Sequence, residues 1–259
     1  MAGPRVYIHE FIDIIGHHRA EYMYHMTANW VPIGLAERNQ RCFGVWGVVG
    51  STGSWPQVVN LWEYDDWAAL AHNFEVEQRG AGLQDPSLAR WWAEAATFRS
   101  GGVDRILVAP DWSPSVADLA ERFERAGRAP AGYAHEQFRT EPGADVALLE
   151  AIREGAVGAH RAAGLTLVGA FRRAMADDSE VIVIWSFDDW ATWGRFESAA
   201  EPLAVDGAAG GARRRENPVV SWRTSVAPIV RSCERILMAD APLSPLRLGR
   251  QPSETDRTA

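Results

Sequence analysis

The chain repeats itself, and this internal duplication restricts the available folds more than any other feature of the sequence. Three segments of the first half recur in the same order in the second half. The matched pairs are residues 7–10 with 133–136, residues 58–67 with 181–190, and Trp92 plus residues 104–107 with Trp222 plus residues 234–237. Collinear matches indicate two units of one plan, with length differences absorbed in loops.

Both units predict the same order of elements, from changes of apolar period and from runs of β-branched residues. The first unit predicts a strand at residues 5–14, a helix at 17–39, strands at 41–49 and 57–64, a helix that begins at residues 65–66, and a strand at 103–109. The second predicts a strand at 132–140, a helix at 145–163 and strands at 165–173 and 180–187. It then predicts a helix that begins at residues 188–189 and a strand at 234–239. The order βαββαβ is that of a ferredoxin-like unit.

The helices of such a unit cover one face of its sheet, so the other face must be buried against a partner. The second copy supplies that partner. We therefore predict an α+β fold in which tandem ferredoxin-like βαββαβ units pack sheet to sheet. The predicted divisions are a first unit at residues 1–112, a linker helix at 113–130, a second unit acting as scaffold at 131–242, and a disordered tail at 243–259.

Composition excludes several classes of partner. The 259 residues carry a formal charge of −8 and no long basic run, so we expect no nucleic acid partner. No apolar stretch reaches the roughly 18 residues of a membrane helix, and residues 1–10 lack the layout of a signal peptide. We therefore expect a cytoplasmic protein with no membrane partner. Cys42 and Cys233 are expected to be buried free thiols.

Differences between the copies point to function, because a residue needed only for the fold should have a similar counterpart. On the first predicted helix, polar side chains three or four residues apart form one stripe, with Trp30 beside it. The stripe consists of His18, Tyr22, His25 and Asn29. Its counterparts in the second unit are Asp145, Leu149, Ile152 and Ala156. Because these are largely apolar, we expect the stripe to face a cleft in the first unit.

Two strand positions repeat this contrast. Asn60 stands where the second unit has a valine, on the same strand face as Trp62. A buried amide needs partners or costs ~1–3 kcal/mol, and the partner here could be a ligand, the backbone or Tyr22. Trp46, whose counterpart is Gly169, is a second candidate.

The motif Tyr-x-His-Glu occurs near the start of both copies. Strand alternation places Tyr7 and His9 on one face and Glu10 on the other. Because His135 repeats His9, we interpret the pair mainly as buried hydrogen-bonding residues, and the alternative is that His9 joins the first-unit site. The repeated tryptophans, Trp62 among them, are likewise interpreted mainly as core.

Residues 57–67, Gln-Val-Val-Asn-Leu-Trp-Glu-Tyr-Asp-Asp-Trp, resemble the strand and helix start typical of the NIPSNAP family. The two units together resemble the dimeric α+β barrel superfamily. The resemblance implies a barrel of two sheets, with a ligand cleft in each unit between sheet and helices. Members of the superfamily include cofactor-free monooxygenases of aromatic polyketides, haem-degrading enzymes, isomerases, cyclases and proteins with no established catalysis. The fold therefore does not choose the chemistry.

The first hypothesis is an enzyme that acts on an apolar, aromatic or polycyclic small molecule in a cleft of the first unit. The catalytic candidates are His25 as general base, Tyr22, and His18 as a second acid or base. The substrate-binding candidates are His9, Asn29, Asn60, Trp46, Trp62 and Trp30. By resemblance, the reaction is cofactor-independent oxygenation, isomerisation or cyclisation in secondary metabolism.

Two alternatives stay open from the sequence. One is a non-catalytic ligand-binding or scaffold protein of the NIPSNAP type, in which the stripe is a solvated helix edge. The other is an oxygenase that uses haem or a divalent metal with His9, His18 or His25, although His18 and His25 lie ~10.5 Å apart along a helix. The first hypothesis needs no cofactor. The expected partners are a small-molecule substrate and, left open, a second copy of the chain as a homodimer.

Overall fold

The computed structural model describes residues 3–79, 84–200 and 217–257. The chain divides into two compact units, of which the first comprises Met1–Ala129 with Ile236–Ala259 and the second comprises Pro130–Arg235. This division differs from the predicted one because the C-terminal residues belong with the first unit. Within the described ranges, no helix is both long and apolar enough to cross a membrane.

The first unit follows the predicted plan. Its elements are β1 (Val6–Ile14), α1 (Arg19–Tyr24), a π-helical segment π1 (His25–Trp30), α2 (Val31–Arg38), β2 (Arg41–Val48), β3 (Gln57–Tyr64), α3 (Trp67–Glu77), α4 (Pro86–Ala95), β4 (Arg99–Val108) and α5 (Val116–Ala126). The strand order is β4-β1-β3-β2, with antiparallel pairing throughout. Helix α3 begins at the predicted place because the Asp66 side chain accepts a hydrogen bond from the Ala69 N–H at 2.9 Å.

The second unit repeats the plan. Its elements are β5 (Gly132–Thr140), α6 (Asp145–Ala151), π2 (Ile152–Ala156), α7 (Val157–Ala162), β6 (Leu165–Arg173), β7 (Glu180–Phe187), α8 (Trp190–Ala200), α9 (Pro218–Val226) and β8 (Val230–Asp240). The strand order β8-β5-β7-β6 matches that of the first unit. Both cysteines are free thiols, but Cys233, on β8, is exposed and not buried as predicted.

Among the described residues, each unit contains one helix that the predicted βαββαβ order omits. Helix α4 in the first unit and α9 in the second each precede the last strand, and they carry the matched residues Trp92 and Trp222. The start of each helix is marked in the sequence. The side chains of Asp85 and Asn217 cap the first turn, and a proline follows each directly. In the first unit this extra helix forms one wall of the candidate site.

The first predicted helix is interrupted by the π-helical segment π1. The Val31 N–H bonds to the Met26 carbonyl, five residues back instead of four. This wider turn changes the direction of the side chains, so the predicted stripe does not stay on one face. Because π2 lies at the corresponding place in the second unit, the interruption belongs to the plan of the fold.

The C-terminal segment, predicted to be disordered, is structured through residue 257. It contains a short helix α10 (Pro245–Leu248) and a turn of 3₁₀-helix (Glu254–Asp256). The Gln251 side chain accepts a hydrogen bond from the Cys42 N–H at 3.0 Å and donates one to the Cys42 carbonyl at 2.8 Å. These bonds lie where the β2–β3 pairing shifts register, so the amide replaces ladder partners at an irregular position.

Gln251→Ala is therefore expected to destabilise the protein by about 1–3 kcal/mol, because it leaves a partly buried backbone N–H and carbonyl without partners. Urea unfolding of the two proteins measures this difference. The matched control is Arg250→Ala, which removes a more exposed ion pair with Asp256 and should cost at most about 1 kcal/mol. Equal effects of the two substitutions would show that the tail does not stabilise β2.

Candidate functional site

A cavity of about 300 Å³ lies within the first unit, between the sheet and the helices. Its apolar lining consists of Ile8, Met26, Trp30, Trp62, Phe74, Leu88, Trp91, Trp92 and Ile106. Its polar lining consists of Glu10, Arg38, Gln40, Asn73, Glu77, Arg99, Asp104 and Arg105. A cavity of this size, with aromatic side chains and polar groups that converge on one space, is typical of a small-molecule site.

Glu10 of β1 lies at the floor of the cavity, where three side chains position it. The Glu10 carboxylate accepts hydrogen bonds from Asn60 Nδ2 at 2.8 Å and from Trp62 Nε1 at 3.0 Å. Asn60 Nδ2 also donates to the Tyr22 hydroxyl at 3.0 Å. The carboxylate is therefore held by β3 and, through Asn60, by the first helix.

The pKa of Glu10 is raised to about 7, chiefly because burial disfavours the charged carboxylate. Asp104, its direct partner in the β1–β4 pairing, raises it further, although Asp104 is exposed and water screens its charge. Hydrogen bonds from Trp62 and Asn60 and the charge of Arg99 act in the opposite direction. A carboxyl group that titrates near neutrality is suited to both accept and return a proton.

Tryptophans form the walls around this carboxylate. Trp30 Nε1 donates a hydrogen bond to Gln40 Oε1 at 2.9 Å, which fixes the ring at the cavity edge. The Arg99 guanidinium carbon lies 3.5 Å from the centre of the Trp92 ring. Trp30 and Trp62 have hydrogen-bonded indole N–H groups, and the flat aromatic faces of the tryptophan walls favour a flat ligand.

Four of the sequence-predicted residues lie at or directly beneath the cavity. Trp30 and Trp62 line it. Tyr22 and Asn60 are fully buried behind Glu10 and form the hydrogen-bonded layer that holds it. Burial, and to a lesser extent the Glu10 charge, raises the pKa of the Tyr22 hydroxyl, which keeps it protonated.

His25, the predicted general base, does not line this cavity. It stacks on Trp91, with ring centres 5.0 Å apart. Its Nε2 lies 3.2 Å from the Trp91 carbonyl and its Nδ1 lies 3.0 Å from Asn29 Nδ2. Glu94 Oε1 lies a further 3.4 Å from Nδ1. Both ring nitrogens therefore face protein groups, and neither is directed at a ligand in the cavity. The structure therefore places His25 and Asn29 in the support of α4.

His18, His9 and Trp46 also lie away from the cavity. His18 is exposed, with Nδ1 3.8 Å from Glu21. His9 and Trp46 are on the opposite face of the sheet, because His9 alternates with Glu10 along β1 and Trp46 pairs with Val59 next to Asn60. The proposed catalytic role of His18 and the proposed substrate contacts of His9 and Trp46 are inconsistent with this placement.

The second unit carries the same carboxylate in a different environment. Glu136, the counterpart of Glu10, accepts a hydrogen bond from Trp185 Nε1 at 2.7 Å. It also forms an ion pair with Arg235, and Arg223 Nη2 lies 3.7 Å away. Despite burial, the charge of Arg235 is the main influence that holds the pKa of Glu136 at about 2. In the first unit the matching arginine, Arg105, lies over the Phe11 ring instead.

An aromatic cluster fills part of the second unit where the first unit has space. His160 and Gly34 each stand four residues after a π segment, and the His160 ring stacks on Trp185 with centres 4.1 Å apart. At Gly34 a Cβ atom would come within 2.6 Å of Gln40 Oε1, so the glycine preserves the wall of the first-unit cavity. The two copies therefore share a scaffold but differ in the side chains packed beside the sheet.

A second cavity, of about 360 Å³, lies within the second unit. Its lining consists of Phe138, Arg223, Val226, Ala227, Val230, Cys233 and Arg235. The two guanidiniums there already face Glu136. Arg235 also pairs with Glu197, so the two arginines face two carboxylates, and the described residues of this lining include no carboxyl group like that of Glu10.

The haem and metal alternatives find no matching arrangement of ligands. Among the described residues, no three His, Cys, Asp or Glu side chains are placed to hold a metal ion. The cavity lining contains no histidine that could bind a haem iron. The described residues that line this cavity therefore do not fit either group.

Comparison with solved structures finds similar folds along nearly the whole chain. An anthrone oxidase-like protein matches with a TM-score of 0.59 at 10% identity, over 93% of this chain and 93% of that chain. A candidate monooxygenase from Fusobacterium nucleatum matches with a TM-score of 0.58 at 10% identity, over 93% of this chain and 94% of that chain. The chain has the dimeric α+β barrel type of fold. The predicted α+β fold class is thereby confirmed.

Another candidate monooxygenase, from Lactobacillus acidophilus, matches with a TM-score of 0.55 at 8% identity, over 91% of this chain and 93% of that chain. No family model matches the sequence, and no curated protein sequence matches it significantly. At these identities the similarity establishes the fold alone and does not show which reaction the protein catalyses.

Proposed function

We propose that this protein is an enzyme that removes a proton from a flat, mostly apolar small molecule bound in the first-unit cavity, with Glu10 as general base. The observation that carries the proposal is a hydrogen-bonded carboxyl group, with a pKa of about 7, at the floor of an aromatic cavity. Perturbed carboxyl groups in clefts are frequent at active sites.

The surroundings of Glu10 suit proton transfer. Asn60 and Trp62 hold one carboxylate oxygen, Oε2, so the other oxygen can accept a proton from the ligand. Tyr22 acts as a positioning residue through Asn60. A ligand bound against the aromatic walls would displace water from the carboxylate, which strengthens the interaction between the carboxylate and the proton that it accepts.

Oxygenation is the form of this chemistry that we favour. Once Glu10 has taken a proton from an acidic CH₂ group, the carbanion can add dioxygen from solution. Return of the proton gives a hydroperoxide, and loss of water leaves a carbonyl. The balance is one CH₂ group plus O₂ giving one C=O group plus water. Monooxygenase-type names among proteins of the same fold support this choice over isomerisation or cyclisation.

The test uses anthrone, which the name of one structural neighbour suggests as a probe. We expect the protein to accelerate oxygen uptake and the formation of anthraquinone in equal amounts, relative to heat-inactivated protein. Deuterium exchange at the CH₂ group in D₂O without oxygen measures proton removal alone. Deuterium exchange without oxygen uptake would contradict oxygenation and indicate an isomerase or cyclase. Binding of anthrone with neither exchange nor uptake would favour a ligand-binding protein.

A further inference from the structure

Arg38 is a second charged group at the cavity, and the fold does not use its full hydrogen-bonding capacity. The side chain is 2% exposed, and its guanidinium carbon lies 4.9 Å from the centre of the Trp30 ring. Its Nη2 is 3.4 Å from Asp85 Oδ1, which is long for a charged hydrogen bond. Nε and Nη2 have no hydrogen-bond partner among the described residues.

Buried donors are almost always paired, and leaving them unpaired destabilises a protein. Arg38 lines the cavity, so a bound molecule can supply the missing acceptor. The place is well defined because the guanidinium lies against Trp30, whose indole is itself fixed by Gln40. Nε–H and Nη2–H lie in the plane of the guanidinium, and because the described residues offer neither a hydrogen-bond acceptor, they suit an oxygen atom of a ligand.

The charges around Arg38 favour a neutral acceptor over an anion. Asp85 already offsets the guanidinium charge, and Glu77 also lines the cavity. Asn73, 2% exposed, adds a carbonyl oxygen, Oδ1, that has no partner among the described residues. A carboxylate bound to Arg38 would be repelled by Asp85 and Glu77, whereas a carbonyl oxygen accepts a hydrogen bond without bringing a full charge.

We infer that Arg38 binds a carbonyl oxygen of the substrate, so that the cavity selects neutral cyclic or aromatic ketones. The inference rests on the proposed function for its identification of the cavity as the substrate site, and it adds the substrate class. As Glu10 takes the proton, the electron pair of the broken C–H bond moves through the conjugated system to the carbonyl oxygen. Arg38 then stabilises the enolate oxygen that develops.

Three bicyclic probes of similar size test the inference by calorimetry of binding under anaerobic conditions. They are 1-tetralone, a neutral ketone; tetralin, which lacks the oxygen; and 1-naphthoate, an anion. The wild-type protein should bind 1-tetralone about 10- to 100-fold more tightly than tetralin, as expected for a hydrogen bond to a charged donor. It should bind 1-naphthoate more weakly than 1-tetralone.

Two variants separate Arg38 from the general apolar character of the cavity. Arg38→Met retains bulk and should bring the ratio of tetralin to tetralone dissociation constants close to one. Asp85→Asn keeps a good helix-capping side chain but removes the negative charge beside Arg38. It should tighten 1-naphthoate binding about 10-fold or more and change 1-tetralone binding little.

The inference fails if wild-type protein binds tetralin as tightly as 1-tetralone, or if folded Arg38→Met keeps the wild-type ratio. If Arg38→Met does not fold, the Asp85→Asn result decides, and unchanged naphthoate binding then overturns the inference. None of these measurements requires turnover. A protein that discriminates the ketone but catalyses nothing would contradict the proposed function alone, and a protein that turns over substrate without discrimination would contradict the inference alone.

Discussion

Glu10→Gln is expected to lower kcat/KM for the oxygenation of anthrone by about 10²- to 10⁴-fold, the usual contribution of a general base. Glutamine has nearly the same size and can still accept hydrogen bonds from Asn60 and Trp62, but it cannot take a proton. Binding of anthrone should therefore change little while kcat falls. Steady-state oxygen uptake, together with calorimetric binding, measures the two effects separately.

The pH dependence of wild-type kcat/KM adds a second measurement of the same role. A general base must be ionised, so activity should rise with pH around a midpoint near 7, the pKa of Glu10. This limb should be absent in the residual activity of Glu10→Gln. The matched control is Glu21→Gln, an exposed carboxylate on the first helix, which should keep both the rate and the profile. Full activity of Glu10→Gln would remove Glu10 from the mechanism.

Much of the fold could be predicted because its signals are local. The strands Gln57–Tyr64 and Leu165–Arg173 lie at the predicted residues, since β-branched and aromatic runs are bounded by turn residues. Helix α4 is not among the predicted elements, although Asp85-Pro86 is typical of a helix start. Within this segment only Trp92 is matched to a residue of the second unit, and it is interpreted as a core residue. The ordered tail could not be predicted, because Gln251 finds its partner at Cys42, 209 residues away along the chain.

The candidate site was predicted only in part, for a physical reason. Comparing the copies identified Tyr22 and Asn60, whose counterparts are apolar, and both hold Glu10. The same comparison excluded Glu10 itself, because Glu136 repeats it. Identical residues can differ in charge environment, and here Arg235 pairs with one carboxylate while Arg105 lies over Phe11. The shared residue type does not show how buried each glutamate is, or whether an arginine side chain points toward it.

This difference predicts opposite stability effects for the same substitution in the two copies. Glu136 is 1% exposed and pairs with Arg235, so Glu136→Gln leaves a buried guanidinium with less compensation. It should destabilise the protein by about 3–5 kcal/mol at pH 7. Because the folded pKa is about 2, below the ordinary 4.5, the wild-type advantage exists above pH 4.5. It should shrink as the pH falls toward 2.

Glu10→Gln should act in the other direction. The folded pKa of about 7 lies above the ordinary 4.5, so the folded state holds its proton more tightly than the unfolded state. Wild-type stability from this group is complete below pH 4.5 and is lost as the pH rises through 7. Glutamine has no such loss, so its stability relative to wild type should increase between pH 4 and pH 8, by at most about 3 kcal/mol.

Urea unfolding from pH 3 to pH 8 measures both variants against wild type. The control is Glu150→Gln, which alters an exposed contact with Arg153 and should change stability by at most about 1 kcal/mol at every pH. Two curves that diverge in opposite directions would show that Glu136 stabilises the fold through a salt bridge, whereas ionised Glu10 destabilises it. Parallel curves would mean that the two carboxylates have similar environments, which would contradict the assignment of Glu10 as the general base. A loss of scaffold stability is the expected cost of a half-buried, reactive carboxyl group.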